Sequence, residues 1–214
     1  MRARELLDRL RRDLAPTEEA IRRHPYLEAV ERGRAPVGSL RQLACEQYWI
    51  VSSDRRSFAH LASRFPEPPA GDLFLAMAQG GGEALRRLSR LASSLELSAR
   101  ELASFRPAPL CHAYTGYVAW LALNGSRADV AAAFLVNLAA WGASCRRLAE
   151  ALRPRCDVSF FELFATPSPD FEEQALAVVE QGLTSGDAPE GAERAAALLQ
   201  AYELAFWDGL ARAL

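Results

Sequence analysis

The 214-residue chain contains no lysine, so all 25 of its basic residues are arginine. That absence excludes a lysine Schiff base, a pyridoxal-phosphate anchor and a phosphate-binding loop of the Walker type. Charge imbalance is also missing, with 27 acidic residues against the 25 basic and a net charge of -2. Neither a basic surface for nucleic acid nor an acidic arm is expected. Cysteine is scarce: Cys45, Cys111, Cys145 and Cys156 lie far apart, with no C-x-x-C pair. Reduced thiols in a cytoplasmic protein are the expectation. Runs rich in Val, Ile and Thr do not occur, which leaves little to build a sheet from. Residues 1–8 alternate charge with apolar side chains, and no later stretch is expected to span a membrane.

What is present is apolar periodicity near 3.6 from end to end, in a chain that is 50% apolar and 24% charged. The pattern predicts one all-α domain over 1–214, with seven to eight helices. The expected spans are about 2–14, stopping before Pro16, and 18–32, capped by Thr17. Next come 39–65, opened by Ser39, and 72–97, with a break or a close backbone approach at Gly80-Gly81-Gly82. After these come 109–124, a stretch from Ser126 to about 153, a short turn near 157–164, and helices at about 169–184 and 189–213. Thr166-Pro167-Ser168-Pro169 serves as the loop before 169–184.

Several polar residues interrupt the apolar stripes. Gln47 and Asp54 share the line of Leu40, Leu43, Ile50, Phe58 and Leu61. Asn137 falls between Phe134 and Trp141, and Glu203 lies in register with Leu199, Phe206 and Leu210. Burying such groups unpaired costs a few kcal/mol, and more for a carboxylate. Their convergence on one ligand-holding pocket is therefore expected. Taken singly, each fits equally well as a stripe-edge residue paired with an arginine. Tyr114, Tyr117 and Trp141 add flat surfaces suited to a planar heterocycle. Cys145 reads as a buried structural thiol. His24, His60 and His112 stand on different helices and form no paired Glu-x-x-His clustering, so neither a metal nor another cofactor is expected.

Three segments carry a family resemblance. His24-Pro25-Tyr26-Leu27 with Gly33 and Glu46-Gln47-Tyr48 resembles the amino-terminal signature of TenA-type proteins. Tyr114-Thr115, Tyr117 and Trp141 are similar in order and spacing to the middle of that family. Tyr202-Glu203-Leu204-Ala205-Phe206-Trp207-Asp208 resembles its closing Glu-x-x-Phe-Trp-Asp motif. The likeness covers essentially the whole chain and implies the haem-oxygenase-like helical fold shared by TenA thiaminases and PqqC. It also implies a homodimer or homotetramer. At the positions where TenA thiaminases carry a cysteine nucleophile and an aspartate, this chain has Asn137 and Gln47, and only Glu203 is kept.

Three readings follow. The first is a pocket for a small planar heterocycle, with Gln47, Asp54, Tyr114, Tyr117, Asn137 and Trp141 binding it. In that reading Glu203 is the catalytic acid/base of a cysteine-less aminopyrimidine hydrolase, in which Glu46 is a second candidate glutamate. The second is a non-catalytic binding or regulatory homologue. The third is a PqqC-like oxidase.

Overall fold

The computed structural model describes residues 2–166 and 168–214, so the Pro167 position of the expected loop lies outside the described residues. These residues form ten helices and no strand. They are α1 Ala3–Arg22, α2 Pro25–Glu31, α3 Val37–Arg64, α4 Ala70–Ser94, α5 Ala99–Ser104, α6 Pro109–Asn124, α7 Arg127–Leu152, α8 Ser159–Ala165, α9 Phe171–Thr184 and α10 Pro189–Ala211. The all-α expectation holds; the number of helices is higher than the seven or eight expected.

The differences have local causes. The first helix does not stop before Pro16 but runs through it. A proline inside a helix costs roughly 3 kcal/mol, and burial of Leu6, Leu7, Leu10, Leu14 and Ile21 along one face offsets it. Thr17 is consequently no cap. The cap of α2 is His24, whose Nδ1 accepts from the Tyr26 amide. Ser39 lies within the first turns of α3 rather than opening it. Helix α5 was not anticipated, although Ser98-x-x-Glu101 is a capping box in which the Ser98 hydroxyl accepts from the Glu101 amide.

Helix α4 passes unbroken through Gly80-Gly81-Gly82, so the expected break does not occur. The alternative, a close approach, does. A Cβ on Gly81 would lie 3.1 Å from Cβ of Arg55 and 3.5 Å from its Cα, so the small residue lets α3 and α4 pack tightly there.

Helix α7 is the central element, packed by α1, α2, α8, α9 and α10, while α3 joins α4 to α6. It is long and apolar enough to cross a bilayer, contrary to the expectation that no segment is, and most of it is buried inside the protein. Its cap is a second box, with Ser126 accepting from the Asp129 amide. On α7, Gly142 allows the backbone of α8 to come close. A Cβ there would meet the Phe164 carbonyl at 2.8 Å, and that approach brings the Phe164 side chain to the wall of the cavity described next.

Candidate functional site

The stripes that read as core surround a cavity of about 440 Å³. Helix α3 contributes Gln47, Ile50, Val51, Asp54 and Phe58. Helix α7 contributes Phe134, Asn137, Leu138 and Trp141, and Tyr114, Glu203 and Phe206 come from α6 and α10. Six of the seven site residues expected from sequence thus face one space. Tyr117 does not. Three residues beyond Tyr114, it turns outward to stack on Trp120, with ring centroids 5.9 Å apart, and packs against Tyr202.

Sequence reasoning missed the remaining wall. Leu73, Met77, Gly80 and Gly81 come from α4, while Leu163, Phe164, Ser168, Phe171 and Gln174 come from α8, α9 and their connection. The glycine run was the available signal for the first group; nothing in the pattern announced the second. The lining residues exposed to solvent are Ala76, Gly80, Ser168 and Gln174, so the mouth opens between α4 and the α8–α9 region.

Asn137 organises the inner polar cluster. Its Oδ1 accepts from the Tyr114 hydroxyl at 3.0 Å. Its Nδ2 donates to Gln200 Oε1 at 3.2 Å and to Glu203 Oε2. The other Glu203 oxygen accepts from the Trp207 indole at 3.4 Å. Asn137 and Glu203 are buried. Burial raises the Glu203 carboxyl to about 8 against the downward pull of its Trp207 and Asn137 bonds. At neutral pH it is therefore a carboxylic acid. The same burial, with Asp54 and Glu203 nearby, holds the Tyr114 phenol well above its ordinary range.

Gln47 is buried at the cavity wall. Asp54 lies two turns further along α3, about 10 Å on at 1.5 Å per residue. Its Oδ1 is inaccessible and has no partner among the described residues. Burial raises this carboxyl also to about 8. Aromatic rings stiffen the floor. Trp141 meets Phe164 and Phe206 edge-on at 6.0 and 6.3 Å and stacks on Trp207 at 5.7 Å.

Glu46 and Cys145 do not line the cavity. Glu46 is buried and accepts from the Ala108 amide at 2.8 Å, which anchors the start of α6. Cys145 is fully buried, and burial holds its thiol far above the ordinary range, so no thiolate is available there. Among the described residues no three His, Cys, Asp or Glu side chains converge as metal ligands.

The two most distinctive sequence motifs meet beside this floor. His24 Nε2 donates to Asp208 at 3.1 Å, its Nδ1 being occupied as the acceptor of the α2 cap. Tyr26 lies 5.9 Å from Trp207, and its hydroxyl donates to the Ser39 carbonyl. The amino- and carboxy-terminal signatures therefore hold one another, and through Trp207 they hold Glu203.

Known proteins support this architecture. A TenA homologue from P. horikoshii OT3 superposes with a TM-score of 0.81 at 18% identity, over 98% of this chain and 99% of that one. A putative TenA-like thiaminase from Sulfolobus solfataricus P2 gives 0.72 at 14%, over 96% and 95%. A domain of unknown function with a haem-oxygenase-like fold, from Shewanella denitrificans OS217, gives 0.71 at 14%, over 96% and 92%. At such identities the likeness establishes the haem-oxygenase-like fold alone. No curated protein matches the sequence. The family model for TENA/THI-4/PQQC matches residues 11–213, nearly the whole length, and the chain belongs to that family.

Proposed function

We propose that the cavity binds a small planar aminopyrimidine and that Glu203 is the acid/base of its hydrolysis. The observation that carries this is the buried Glu203 carboxyl, bonded to Asn137 at the wall of an aromatic-floored cavity and raised by that burial to about 8, which favours its protonated form. Such a group donates a hydrogen bond to a ring nitrogen, which a carboxylate does not. Gln47 offers both a donor and an acceptor to the same ring, and Trp141 offers a face to stack on.

The reaction supported is replacement of an amino substituent by water. The hydroxyl of water bonds to carbon and the C–N bond breaks. The leaving nitrogen takes up the proton supplied through Glu203, and water's second proton returns to the carboxylate. With Asn137 in place of a thiol and Cys145 outside the cavity, no covalent cysteine intermediate enters this scheme. Relatives of the same fold named as a TenA homologue and as a putative TenA-like thiaminase support this reading.

Incubation with 4-amino-5-aminomethyl-2-methylpyrimidine, followed by mass spectrometry, is the test. Ammonia release that Glu203→Gln abolishes supports the reading. Absence of both turnover and thermal stabilisation at millimolar ligand defeats it. A second reading, a binding protein without catalysis, is favoured by the fact that both Glu203 oxygens already have protein partners. Its mark is stabilisation by the pyrimidine without turnover.

We also propose a homo-oligomer, supported by Trp120 and Leu123, which leave 51% and 64% of their surface exposed on α6. A monomeric mass by light scattering at micromolar concentration overturns it.

A further inference from the structure

We propose that Asp54 is a specificity residue that accepts from an amine carried by the outer part of the ligand, so that the cavity selects a flat ring bearing an amine-terminated arm. The ring station rests on the function proposed above; the Asp54 station rests on its own observations.

The first is size. A cavity of about 150 Å³ holds a single benzene ring, and this one, at about 440 Å³, has room for roughly three times that. A lone heterocycle at Glu203 leaves most of the space unfilled.

The second is position. Asp54 precedes Arg55, whose Cα and Cβ press against Gly81. It therefore sits at the level of the Gly80–Gly81 stretch, where the cavity reaches solvent at Gly80. Gln47, two turns back along α3, marks the inner end.

The third is company. Of the lining residues around Asp54, Ile50, Val51, Phe58 and Met77 on α3 and α4 offer it no donor, and the hydroxyl of Tyr114 on α6, which lies near it, donates to Asn137 instead. Arg55 and Arg56 follow it directly, yet both are exposed, and neither is bonded to it among the described residues. Oδ1 of Asp54 is inaccessible and without a partner among the described residues, which costs folding free energy. The residue itself is only half-buried and lines the cavity, so its other oxygen is the one a ligand meets. A ligand amine at that second oxygen gives the carboxyl a donor, and the arm that carries it covers the apolar residues between the two stations.

Matched pairs of compounds test this by titration calorimetry on the full chain. The first pair is 4-amino-2-methylpyrimidine with a 5-(3-aminopropyl) or a 5-butyl arm, which differ only in the terminal group. The second pair, 4-phenylbutylamine and pentylbenzene, has no pyrimidine and so does not depend on the ring reading. Wild type is expected to favour the amine in both pairs by roughly tenfold or more. Asp54→Leu is expected to abolish that preference. Asp54→Asn, which keeps an acceptor oxygen, retains part of it.

An amine preference that survives in Asp54→Leu, or is absent from wild type in both pairs, overturns the proposal. If the phenyl pair shows an Asp54-dependent preference while no pyrimidine binds, the Asp54 station stands and the pyrimidine reading falls. Should Asp54→Leu fail to fold, Asp54→Asn decides, since an amine preference equal to wild type overturns the inference and a reduced one supports it.

Discussion

Two carboxyls face the same cavity in very different company. Glu203, on α10, has both oxygens hydrogen-bonded, to Asn137 and to Trp207, and Asn137 is in turn held by Tyr114 and Gln200. Asp54, on α3, has an inaccessible oxygen with no partner among the described residues. Burial raises both to about 8, so their titration does not distinguish them. Their partners do. Hydrogen bonds at both oxygens fix a carboxyl in one geometry, as general acid/base work requires. A carboxyl at a cavity wall with no protein donor on it leaves an acceptor for a ligand to use.

The comparison breaks most sharply at Asn137. Replacing it with leucine leaves the Tyr114 hydroxyl, Gln200 Oε1 and a Glu203 oxygen without their protein partner, and destabilisation of about 3–5 kcal/mol is expected. Urea unfolding monitored by circular dichroism measures it. A loss under about 1 kcal/mol means that water or a rearranged Gln200 replaces the amide.

At Asp54 the sign reverses. Asp54→Leu removes a half-buried carboxyl with one inaccessible, unpartnered oxygen and adds apolar contact beside Phe58 and Met77, so the unliganded protein gains about 1–2 kcal/mol. The same substitution destroys the amine preference argued above, which makes it a stability-for-function exchange. A loss of stability in the unliganded variant shows that a partner, such as ordered water, already satisfies Asp54.

Proton linkage sharpens the same contrast. Burial lifts Asp54 from 3.8 to about 8. Between those values the folded chain holds a proton that the unfolded chain has released, so stability falls as pH rises. Asp54→Asn removes that dependence. The stability advantage of the variant over wild type is therefore expected to grow from about pH 4 to about pH 8 and then level off. Glu203→Gln produces the same pH trend from 4.5 upward. Its neutral amide, however, has to rebuild bonds to Asn137 and Trp207, so its advantage starts from a lower baseline. Taking variant minus wild type cancels the opposite trend of Glu19, Glu31, Glu83 and Glu101, which arginine or serine partners hold below the usual range. A flat difference between the Asp54→Asn and wild-type curves means that Asp54 is ionised in the folded chain at neutral pH.

Much of this was legible because polar interruptions of an apolar stripe carry a physical cost. Gln47, Asp54, Asn137 and Glu203 were conspicuous on that ground, and the TenA-like motifs tied three of them to one place. The misreadings share a different cause. Pro16 and the glycine run are local stop signals that tertiary burial overrode, on the Leu10–Ile21 face of α1 and at the Arg55 contact of α4. Phe58, Phe134 and Phe206 were assigned to core because periodicity marks a face as apolar without saying whether another helix or an empty space lies against it. The outer wall from α8 and α9 depends on chain segments whose meeting with α4 no local pattern encodes. Glu46 shows the reverse limit, a buried glutamate one residue from Gln47 that anchors α6 instead of facing the cavity.

The smallest expected effect separates two tyrosines that sequence spacing grouped together. Tyr114 donates to Asn137 inside the cavity, while Tyr117 stacks on Trp120 outside it. Tyr114→Phe deletes one buried hydrogen bond and leaves the Asn137 carbonyl without its donor, a cost of about 1–2 kcal/mol together with weaker pyrimidine binding. Tyr117→Phe keeps the ring and its stacking, and stability stays within about 0.5 kcal/mol of wild type with ligand affinity unchanged. Thermal unfolding with and without ligand reads both at once. Equal behaviour of the two variants places the functional cavity somewhere other than the Asn137 network, because only Tyr114 connects to it.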